Sequence, residues 1–401
     1  MKLTAGLTYW AKANQPPPRY PRLRQSVSCD VAVIGAGITG ALVAHQLVRS
    51  GPSVVIIDKR PPGTGSTSAS TALLLYETDT SLAELTRRHG EKNAVQAYAL
   101  GRRAIGQIGQ ITRELKIDCG FRREKCLYLA SDAAGLAQLK KEVSLRRQAG
   151  FPAALLSRRQ LQAQFGLRFP GAIYAPGCAQ VDAMRLTQGL LAHHVRRERL
   201  RVFQGTRITR IKSLANGVQL RAANHRTIRA KQVIIATGYE AAPFLETDLV
   251  KLHSSYVIAS QPLPPKKLWR DRCLIWETAR PYFYLRTTAD HRILMGGEDE
   301  PFADPVRRDE ILPAKTKKLA RRFRRLFPEI PFKVEFGWTG TFGESQDGLP
   351  YIGARPGAPR ILYALGYGGN GITFSQIAAT LLNQICRGQP ARDTKLFRFD
   401  R

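Results

Sequence analysis

The sequence predicts an α/β fold in which a parallel sheet with flanking helices is interleaved with a second domain. Two short apolar runs pass directly into glycine turns and then into helical stretches, at 30–48 near one end of the chain and at 363–386 near the other. That order of strand, turn and helix is typical of α/β units. A third buried run lies far from both, at 232–238, so the sheet is expected to collect strands from distant parts of the chain.

The composition supports a large core and gives no sign of export. The chain has 401 residues, of which 43% are hydrophobic, and a chain of this size buries a large share of its surface. No run of about 18 uninterrupted apolar residues occurs, and residues 1–21 are polar, aromatic and broken by prolines. We therefore expect a cytoplasmic protein, in contact with the inner face of a membrane only peripherally, if at all.

The cysteines and histidines imply no metal site. The six cysteines are scattered without a CxxC pair, and no His/Cys cluster has metal-ligand spacing. His193 and His194 are adjacent and would point apart on a helix, which favours structural or surface roles.

The charge is extreme, with a formal net value of +31 from 62 basic and 31 acidic residues. Such a charge attracts anionic ligands, membranes and nucleic acid without choosing between them. The basic residues are spread along the chain, and their densest cluster, 315–325, carries apolar residues at helical spacing. We interpret this cluster as the solvated face of an amphipathic helix and expect no specific nucleic-acid partner and at most a weak membrane contact.

A dinucleotide signature follows the first strand. The apolar run 30–34 leads into Gly35, Gly37 and Gly40 in a GxGxxG pattern, which allows a tight turn, close approach of a pyrophosphate and close packing of the helix on the strand. A second buried run, 53–57, ends in Asp58, about 20 residues beyond the glycines, where a carboxylate holds ribose hydroxyls. An acidic residue there favours FAD or NAD over NADP.

Three further segments favour FAD over NAD. Residues 61–72 are rich in glycine and hydroxyl side chains and can wrap a second length of cofactor, although a plain flexible loop is the alternative. The strand 232–238 ends in small residues that can touch a cofactor. The run 366–371 spells a second GxGxxG, but no strand follows it to carry an acidic residue, so we interpret it as a helix N-terminus facing the flavin ring.

Together these segments resemble the D-amino acid oxidase family of flavoproteins, which includes glycine and sarcosine oxidases, D-amino acid dehydrogenases and γ-glutamylputrescine oxidase. The resemblance runs nearly end to end and also covers 181–182, 205–208, 338–340 and 347–353. It implies a Rossmann-like FAD-binding domain of the glutathione-reductase type, interleaved with a mixed β-sheet substrate domain that roofs the flavin.

The expected division of the chain is discontinuous. Residues 1–28 form an N-terminal extension; 29–80, 150–245 and 335–395 form the FAD-binding domain; and 81–149 and 246–334 form the substrate domain. The strands expected to cover the flavin are Leu252–Gln261, Tyr282–Thr287 and Arg292–Gly297, because they alternate apolar and polar residues.

By the same resemblance, FAD is expected to bind along the glycine turns, the hydroxyl-rich loop and the final helix. The FAD-binding residues are predicted to be Gly35, Ala36, Gly37, Ile38, Thr39, Gly40, Asp58, Lys59, Arg60, Ser66, Thr67, Ser68, Thr71, Ala72, Ile208, Ala236, Thr237, Gly238, Gly368, Gly369, Asn370, Gly371, Ile372 and Thr373. Some members of the family attach FAD through a cysteine or histidine. Segment 340–345 contains neither, and the loop near Thr71 lacks a histidine, so we expect non-covalent FAD.

The resemblance implies oxidation of the C–N bond of a small amine or amino acid. A hydride passes to flavin N5, the resulting imine is hydrolysed, and electrons leave to oxygen or to a quinone or other carrier. Tyr284 and Arg286 share one face of a strand with Tyr282, and Arg286 could hold a substrate carboxylate. Tyr256 and Asn370 are further candidates for the catalytic site, and no base is evident.

Three other functions stay open. A flavin dehydrogenase of a hydroxy acid or of glycerol phosphate would suit the positive charge, and a flavin-bearing, membrane-associated protein with little activity would explain it differently. An NADPH-using monooxygenase is disfavoured because the sequence shows no second complete nucleotide fold.

Overall fold

The computed structural model describes residues 2–241, 244 and 249–401. The expected boundary between 245 and 246 and the first residue of the expected extension lie outside these described residues. The helices are α1 Tyr9–Ala13, α2 Ile38–Ser50, α3 Ser66–Ala69, α4 Leu82–His89, α5 Glu91–Glu114, α6 Ala133–Gln148, α7 Arg158–Phe165, α8 Ala183–Val195, α9 Pro305–Glu310, α10 Leu312–Leu326 and α11 Gly371–Cys386.

Two sheets contain the strands. These are β1 Thr4–Gly6, β2 Val27–Ile34, β3 Val54–Ile57, β4 Leu73–Leu74, β5 Arg122–Leu129, β6 Ala154–Ser157, β7 Gly171–Gln180, β8 Leu200–Phe203, β9 Ile208–Leu214, β10 Gly217–Ala222, β11 Thr227–Ile235, β12 Val250–Ser260, β13 Leu274–Glu277, β14 Tyr284–Thr287, β15 Ile293–Glu300, β16 Val334–Ser345, β17 Tyr351–Ala354 and β18 Ile361–Leu365.

The eight-stranded sheet has the parallel core that the sequence predicts. Its order is β17-β18-β11-β2-β3-β8, with β10 paired to β11 and β9 paired to β10. The strands β18, β11, β2, β3 and β8 run parallel. All four residues of β3 are buried, as expected for a parallel strand covered on both faces. Helices α2, α8 and α11 pack together beside this sheet.

The ten-stranded sheet is mixed, with the order β1-β16-β12-β15-β14-β13-β5-β7-β4 and with β6 paired to β7. Strand β5 runs parallel to β13, whereas β12 is antiparallel to both β15 and β16. Strands β12, β14 and β15 confirm the three predicted roof strands to within a few residues.

Strand pairing divides the chain differently from the expected segments at four places, one of which is β4, since it lies within 29–80 but pairs with β7 in the ten-stranded sheet. Strands β6 and β7 lie within 150–245 but pair in the ten-stranded sheet, because β7 is antiparallel to β5. Strand β16 also pairs in this sheet, along nearly the whole length of β12. Strand β1 joins the edge of the same sheet through β16, so residues 4–6 of the expected extension are part of it.

Helix α10 is amphipathic, as its sequence predicts. Leu319 and Phe323 are fully buried in a core cluster, together with Phe327 just beyond the helix. The helix packs on β12, β15 and β16, so most of its basic side chains are left on the outer face, whereas Lys315 turns towards the sheet and pairs with Glu300. Among the described residues, none of the helices has the length and apolar character needed to span a membrane.

Candidate active site

One cavity of about 770 Å³ collects residues from both sheets. We use the name ribose end for the part around Asp58, Ile208 and Glu240, and tyrosine end for the part around Tyr282 and Tyr284. The carboxyl ends of parallel strands in an open α/β sheet are where ligands bind. The cavity follows that rule, because Ile34 and Ile57, which end β2 and β3, and Ala236, which directly follows β11, all line its wall.

The first glycine junction, residues 35–40 from the end of β2 into the start of α2, has the geometry of a phosphate-binding turn. Gly35 has φ +114°, and a Cβ on Gly40 would lie 1.8 Å from the carbonyl oxygen of Gly35. Gly40 therefore allows helix α2 to begin against the strand without itself lining the cavity. Ala36 also lies behind the wall, and its N–H donates to Oδ2 of Asp58 at 2.7 Å. Gly37, like Gly35, lines the cavity, as do Ile38 and Thr39.

Asp58 stands at the end of β3 as predicted. Burial raises the pKa of its carboxyl group, and the N–H groups of Ala36 and Arg60 that donate to it act in the opposite direction. The side chain lines the ribose end, where it can also accept from ribose hydroxyls.

The hydroxyl-rich loop supplies unsatisfied groups to the cavity. The buried Oγ of Ser66 in this loop and the buried Oγ1 of Thr237 just after β11 have no hydrogen-bond partner among the described residues, and both residues line the cavity. Buried polar atoms are normally paired, so these two hydroxyls fit a ligand rich in acceptors, such as a pyrophosphate. Thr67 accepts from the Ile38 N–H at 3.0 Å. Ser68 donates to the carbonyl of Gly65 and does not line the cavity.

The cations at the ribose end are held by a residue that the sequence analysis missed. Lys59 Nζ donates to Glu240 Oε1 at 2.8 Å, and Arg60 Nη1 donates to Oε2 at 2.5 Å. Glu240 lies in a 3-10 turn just after β11. Lys59 and Arg60 line the cavity as predicted, as does Ile208, but their charges pair with this carboxylate.

The second glycine junction, residues 366–371 from the end of β18 to the start of α11, lines the same cavity as the first. Gly368, Gly369, Gly371 and Ile372 line its wall at the start of α11. Thr39 Oγ1 and Ser375 Oγ lie 2.7 Å apart and connect the first turns of α2 and α11. Thr373 lies behind the wall instead, where its hydroxyl donates to the carbonyl of Leu75. The structure therefore brings together the two junctions that lie near opposite ends of the sequence.

Asn370 lines the cavity and fixes the segment that follows β4. Its Nδ2 donates to the carbonyls of Leu75 at 3.3 Å and Glu77 at 2.9 Å. Its Oδ1 accepts from the N–H of Asp79 at 3.2 Å. Because its amide group is used in this way, Asn370 acts as a positioning residue for Asp79, which also lines the cavity and which the sequence analysis did not identify.

Aromatic rings form the wall of the tyrosine end. The ring centroids of Trp276 and Tyr282 lie 6.2 Å apart, and those of Tyr282 and Tyr284 lie 5.9 Å apart. The Tyr282 hydroxyl donates to Asp79 Oδ1 at 2.9 Å. A Cβ on Gly296 would lie 2.3 Å from the Tyr284 hydroxyl, so the absence of a side chain there lets the tyrosine ring cross β15.

Arg286 does not reach the cavity, contrary to the prediction. Its Nη1 donates to the carbonyls of Thr71 at 2.8 Å, Ala72 at 2.9 Å and Val181 at 2.9 Å. Burial lowers the pKa of the guanidinium to about 10. Three backbone acceptors thus take the place of a substrate carboxylate, and the side chain supports the hydroxyl-rich loop from behind.

Tyr256 also lies outside the cavity wall, and the alternation of β12 is the reason. Its neighbours Ser255 and Val257 line the cavity, so Tyr256 faces the opposite side of the sheet. There it belongs to the core cluster beneath α10, and Lys315 Nζ lies 5.4 Å from its ring centroid.

Comparison with known proteins agrees with this architecture. The family model DAO, described as FAD dependent oxidoreductase, matches residues 30–385. The chain belongs to this family.

Two curated relatives of this FAD-dependent oxidoreductase cover most of its length. Gamma-glutamylputrescine oxidoreductase of Escherichia coli (strain K12) is 27% identical, over 96% of this chain and 89% of the relative. Glycine oxidase of Geobacillus kaustophilus (strain HTA426) is 25% identical, over 88% of this chain and 91% of the relative.

Solved structures share the fold of this DAO-family chain. Glycine oxidase from Geobacillus kaustophilus has a TM-score of 0.77 at 22% identity, covering 91% of this chain and 96% of that one. L-Amino acid deaminase from Proteus myxofaciens, in complex with anthranilate, has a TM-score of 0.79 at 14% identity, covering 99% and 98%. These likenesses confirm the Rossmann-like FAD domain and the mixed second sheet.

The cofactor of this FAD-dependent oxidoreductase fits the residues that face the cavity. Gly35 and Gly37 leave space at the first turn, Ser66 and Thr237 offer free hydroxyls, and Gly371 begins the helix opposite. None of the described lining residues is a cysteine or a histidine. Non-covalent attachment stays a prediction, which this wall supports.

One group of possible metal ligands occurs among the described residues of this DAO-family protein, outside the cavity. Ligand atoms of Glu77, Cys126 and Cys178 lie within 4.8 Å of one another, all buried. Sequence spacing could not reveal this group, because strand pairing assembles it. Arg146 Nη1 already donates to Glu77 Oε1 at 2.5 Å and balances its charge, so we interpret the group as part of the core.

Proposed function

We propose that this flavoenzyme oxidises the C–N bond of a small amine or amino acid. The observation that carries the proposal is that the two glycine junctions and the aromatic wall of the tyrosine end line one cavity. The names of the relatives support it, since both glycine oxidase and gamma-glutamylputrescine oxidoreductase are named for amine substrates.

FAD, when bound, supplies the hydride acceptor for the carbon next to the reacting nitrogen. The protein contributes orientation and exclusion of water. Trp276 and Tyr284 offer flat apolar surfaces that hold a small substrate, and Val257 adds to this wall. The start of α11 lines the cavity, and its backbone N–H groups and positive dipole end would stabilise negative charge on a bound flavin. The reacting nitrogen must be neutral, and the imine product then reacts with water.

The charges of the cavity disfavour the rival hydroxy-acid and glycerol-phosphate substrates. Among the described lining residues, the only basic side chains are Lys59, Arg60 and Arg207. Lys59 and Arg60 pair with Glu240 at the ribose end, and Arg207 adjoins Ile208 there. A carboxylate or phosphate group at the tyrosine end would meet no cationic side chain, which counts against these substrates and, within the proposed class, favours amines over amino acids.

The test is to purify the protein, record its visible spectrum and add substrates in the absence of oxygen. Panels of amines, amino acids and hydroxy acids are mixed with it, and bleaching of the flavin band is followed. Bleaching by amines or amino acids is the expected result. Bleaching by hydroxy acids or alcohols alone would overturn the proposal, and rapid reduction by NADPH would point to a monooxygenase instead. Readmission of oxygen or of a quinone then identifies the electron acceptor, which stays a prediction.

A further inference from the structure

The tyrosine end carries negative charge in a protein whose formal net charge is +31. Two carboxylates line it, those of Asp79 and Asp299, beside the rings of Trp276, Tyr282 and Tyr284. Their presence against the overall charge of the molecule is the starting observation.

Asp299 is turned into the cavity by a bulge in β15. Glu300 pairs with Ser254 and Gly297 pairs with Tyr256, so Glu298 and Asp299 together oppose the single residue Ser255. Glu298 has φ +58° and directs its carboxylate to Lys318 of α10, at 2.5 Å. Bulges of this kind redirect side chains beside active sites. Asp299 consequently faces the cavity while its neighbour faces α10.

The Asp299 carboxylate is short of partners. Its Oδ1 is shielded from solvent and accepts no hydrogen bond within the described protein. Burial, followed by the nearby charge of Asp79, raises the pKa of Asp299 to about 7, and the Ser255 hydroxyl acts in the opposite direction. A shielded carboxylate oxygen without a donor calls for a ligand that brings one.

Asp79 is the second carboxylate at the tyrosine end, and the protein holds it in place. Its Oδ1 accepts from the Tyr282 hydroxyl at 2.9 Å and its Oδ2 accepts from the Gly369 N–H at 2.6 Å. Asn370 holds the backbone of the same residue. The two carboxylates therefore differ: Asp79 is held by the protein, and Asp299 has an oxygen left for a ligand.

The neighbouring cations are already committed. Lys315 Nζ donates to Glu300 Oε1 at 2.5 Å and to the carbonyl of Glu298 at 2.9 Å. The Arg280 guanidinium donates to the carbonyls of Ala279 and Asp79 and lies 4.8 Å from the Tyr282 ring centroid. Neither residue lines the cavity.

Asp79 and Asp299 are unsuited to bind the nitrogen whose C–N bond is oxidised. An amine gives up a hydride only when its nitrogen is neutral, whereas an ammonium held against a carboxylate is stabilised in its protonated form. A second nitrogen, which stays protonated throughout, suits both the carboxylates and the aromatic faces.

We propose that the substrate is a cationic amine of the diamine type, whose non-reacting ammonium is bound by Asp299, next to Asp79 and the rings of the tyrosine end. This inference rests on the proposed function and names its substrate class. It replaces the expectation that an arginine holds a substrate carboxylate, since Arg286 is engaged elsewhere.

The test compares three ligands of equal chain length on the FAD-loaded protein: 1,4-diaminobutane, butylamine and 4-aminobutyrate. Binding is followed by perturbation of the flavin spectrum and turnover by anaerobic bleaching, at about pH 8.5, where Asp299 is ionised. We expect the diamine to bind at least about tenfold more tightly than butylamine, and 4-aminobutyrate to bind most weakly. Tighter binding of 4-aminobutyrate, or equal binding of all three, would overturn the inference on the wild-type protein alone.

Variants test whether Asp299 is responsible for the preference for the diamine. Asp299→Asn should remove the preference for the diamine over butylamine, and Asp299→Glu should keep part of it. Asp118→Asn is the matched control, because that carboxylate is exposed and remote from the cavity wall. A preference that survives in Asp299→Asn would contradict the assignment. If no amine in the panel bleaches the flavin, the proposed function fails; if amines bleach it without a preference for a second cation, only this inference fails.

Discussion

Arg286 is a buried charge that holds two cavity-lining residues in place without lining the cavity itself. Its Nη1 donates to three carbonyls, two of them in the hydroxyl-rich loop at Thr71 and Ala72. The third acceptor, the carbonyl of Val181, ties the same guanidinium to the end of β7. The planar fork of arginine suits several acceptors at once, whereas lysine presents a point charge.

We predict that Arg286→Lys raises the Kd for FAD about tenfold, equivalent to about 1.4 kcal/mol. The loop would lose the donor that connects Thr71, Ala72 and Val181. The measurement is titration of the apoprotein with FAD. Arg159→Lys, on an exposed face of α7, is the control and should leave the Kd unchanged. A variant with normal FAD affinity and a weakened affinity for amines would restore the role of substrate ligand.

Close packing at Gly40 leads to a second prediction. Because an added Cβ would lie 1.8 Å from the Gly35 carbonyl oxygen, Gly40→Ala should separate α2 from β2 and cost about 3 kcal/mol of unfolding free energy. Gly106→Ala is the matched substitution, since the nearest atom to its Cβ is an arginine nitrogen at 3.6 Å. In the interior of α5 it should stabilise the protein by up to about 1 kcal/mol. Urea unfolding measures both, and similar losses in the two variants would refute the packing argument.

At the scale of residues, local patterns predicted the ribose end better than the tyrosine end. Gly35, Gly37 and Asp58 lie within one short stretch whose spacing carries its own chemistry. Asp79 and Asp299 have no such signal, because strand pairing and a bulge bring them together from distant segments. The partners of Arg286 are backbone carbonyls far along the chain, which no pattern of side chains could indicate.

Between helices, a buried histidine pair joins α2 to α8. His45 Nδ1 and His194 Nε2 lie 2.9 Å apart, so one ring donates and the other accepts, which requires the accepting ring to be neutral. Burial lowers the pKa of His45 to about 3 and that of His194 to about 4. The sequence analysis expected a structural or surface role for His194, and the pair gives it a structural one.

The pair predicts acid sensitivity. Because the folded pKa values lie below the ordinary value of 6.5, the unfolded chain binds more protons at acidic pH, and the contribution is complete above about pH 7. It is lost as the pH falls from about 6.5 towards the folded pKa values, by roughly 2 kcal/mol for each histidine at about pH 5. Urea unfolding at the two pH values measures this.

The loss of unfolding free energy at acidic pH should be smaller in His194→Gln. It should persist in His225→Asn, which alters an exposed histidine at a positive φ that asparagine tolerates. An equal pH dependence in the wild type and in His194→Gln would assign the acid sensitivity to other groups.

Elements followed the sequence where periodicity was strong. Strands β2, β3 and β12 and helices α2, α10 and α11 were predicted from apolar runs, alternation or helical spacing. The sheet to which a strand belongs could not be predicted in the same way, since β7 and β16 are assigned to their sheet by pairing with β5 and β12. Pairing over such separations is a property of topology, which a single strand does not encode.

Over the whole molecule, the cavity lies between the two sheets, so its occupant should hold them together. We predict that FAD at about 100 times its Kd stabilises the protein by about 2.7 kcal/mol over the apoprotein. The measurement is thermal unfolding with increasing FAD. FMN lacks the adenosine half that Asp58 and Ile208 should hold and should shift the melting temperature far less. Equal shifts with FMN and FAD would mean that the ribose end does not bind adenosine.

The order of strands in the parallel sheet has a consequence for biosynthesis. Strand β2 lies between β3 and β11, and β18 joins beyond β11. During translation, the ribosome releases the first phosphate-binding turn long before it releases β18 and α11, which complete the same wall. A nascent chain can therefore form only part of its flavin pocket, and uptake of the cofactor is completed after the last helix has left the exit tunnel.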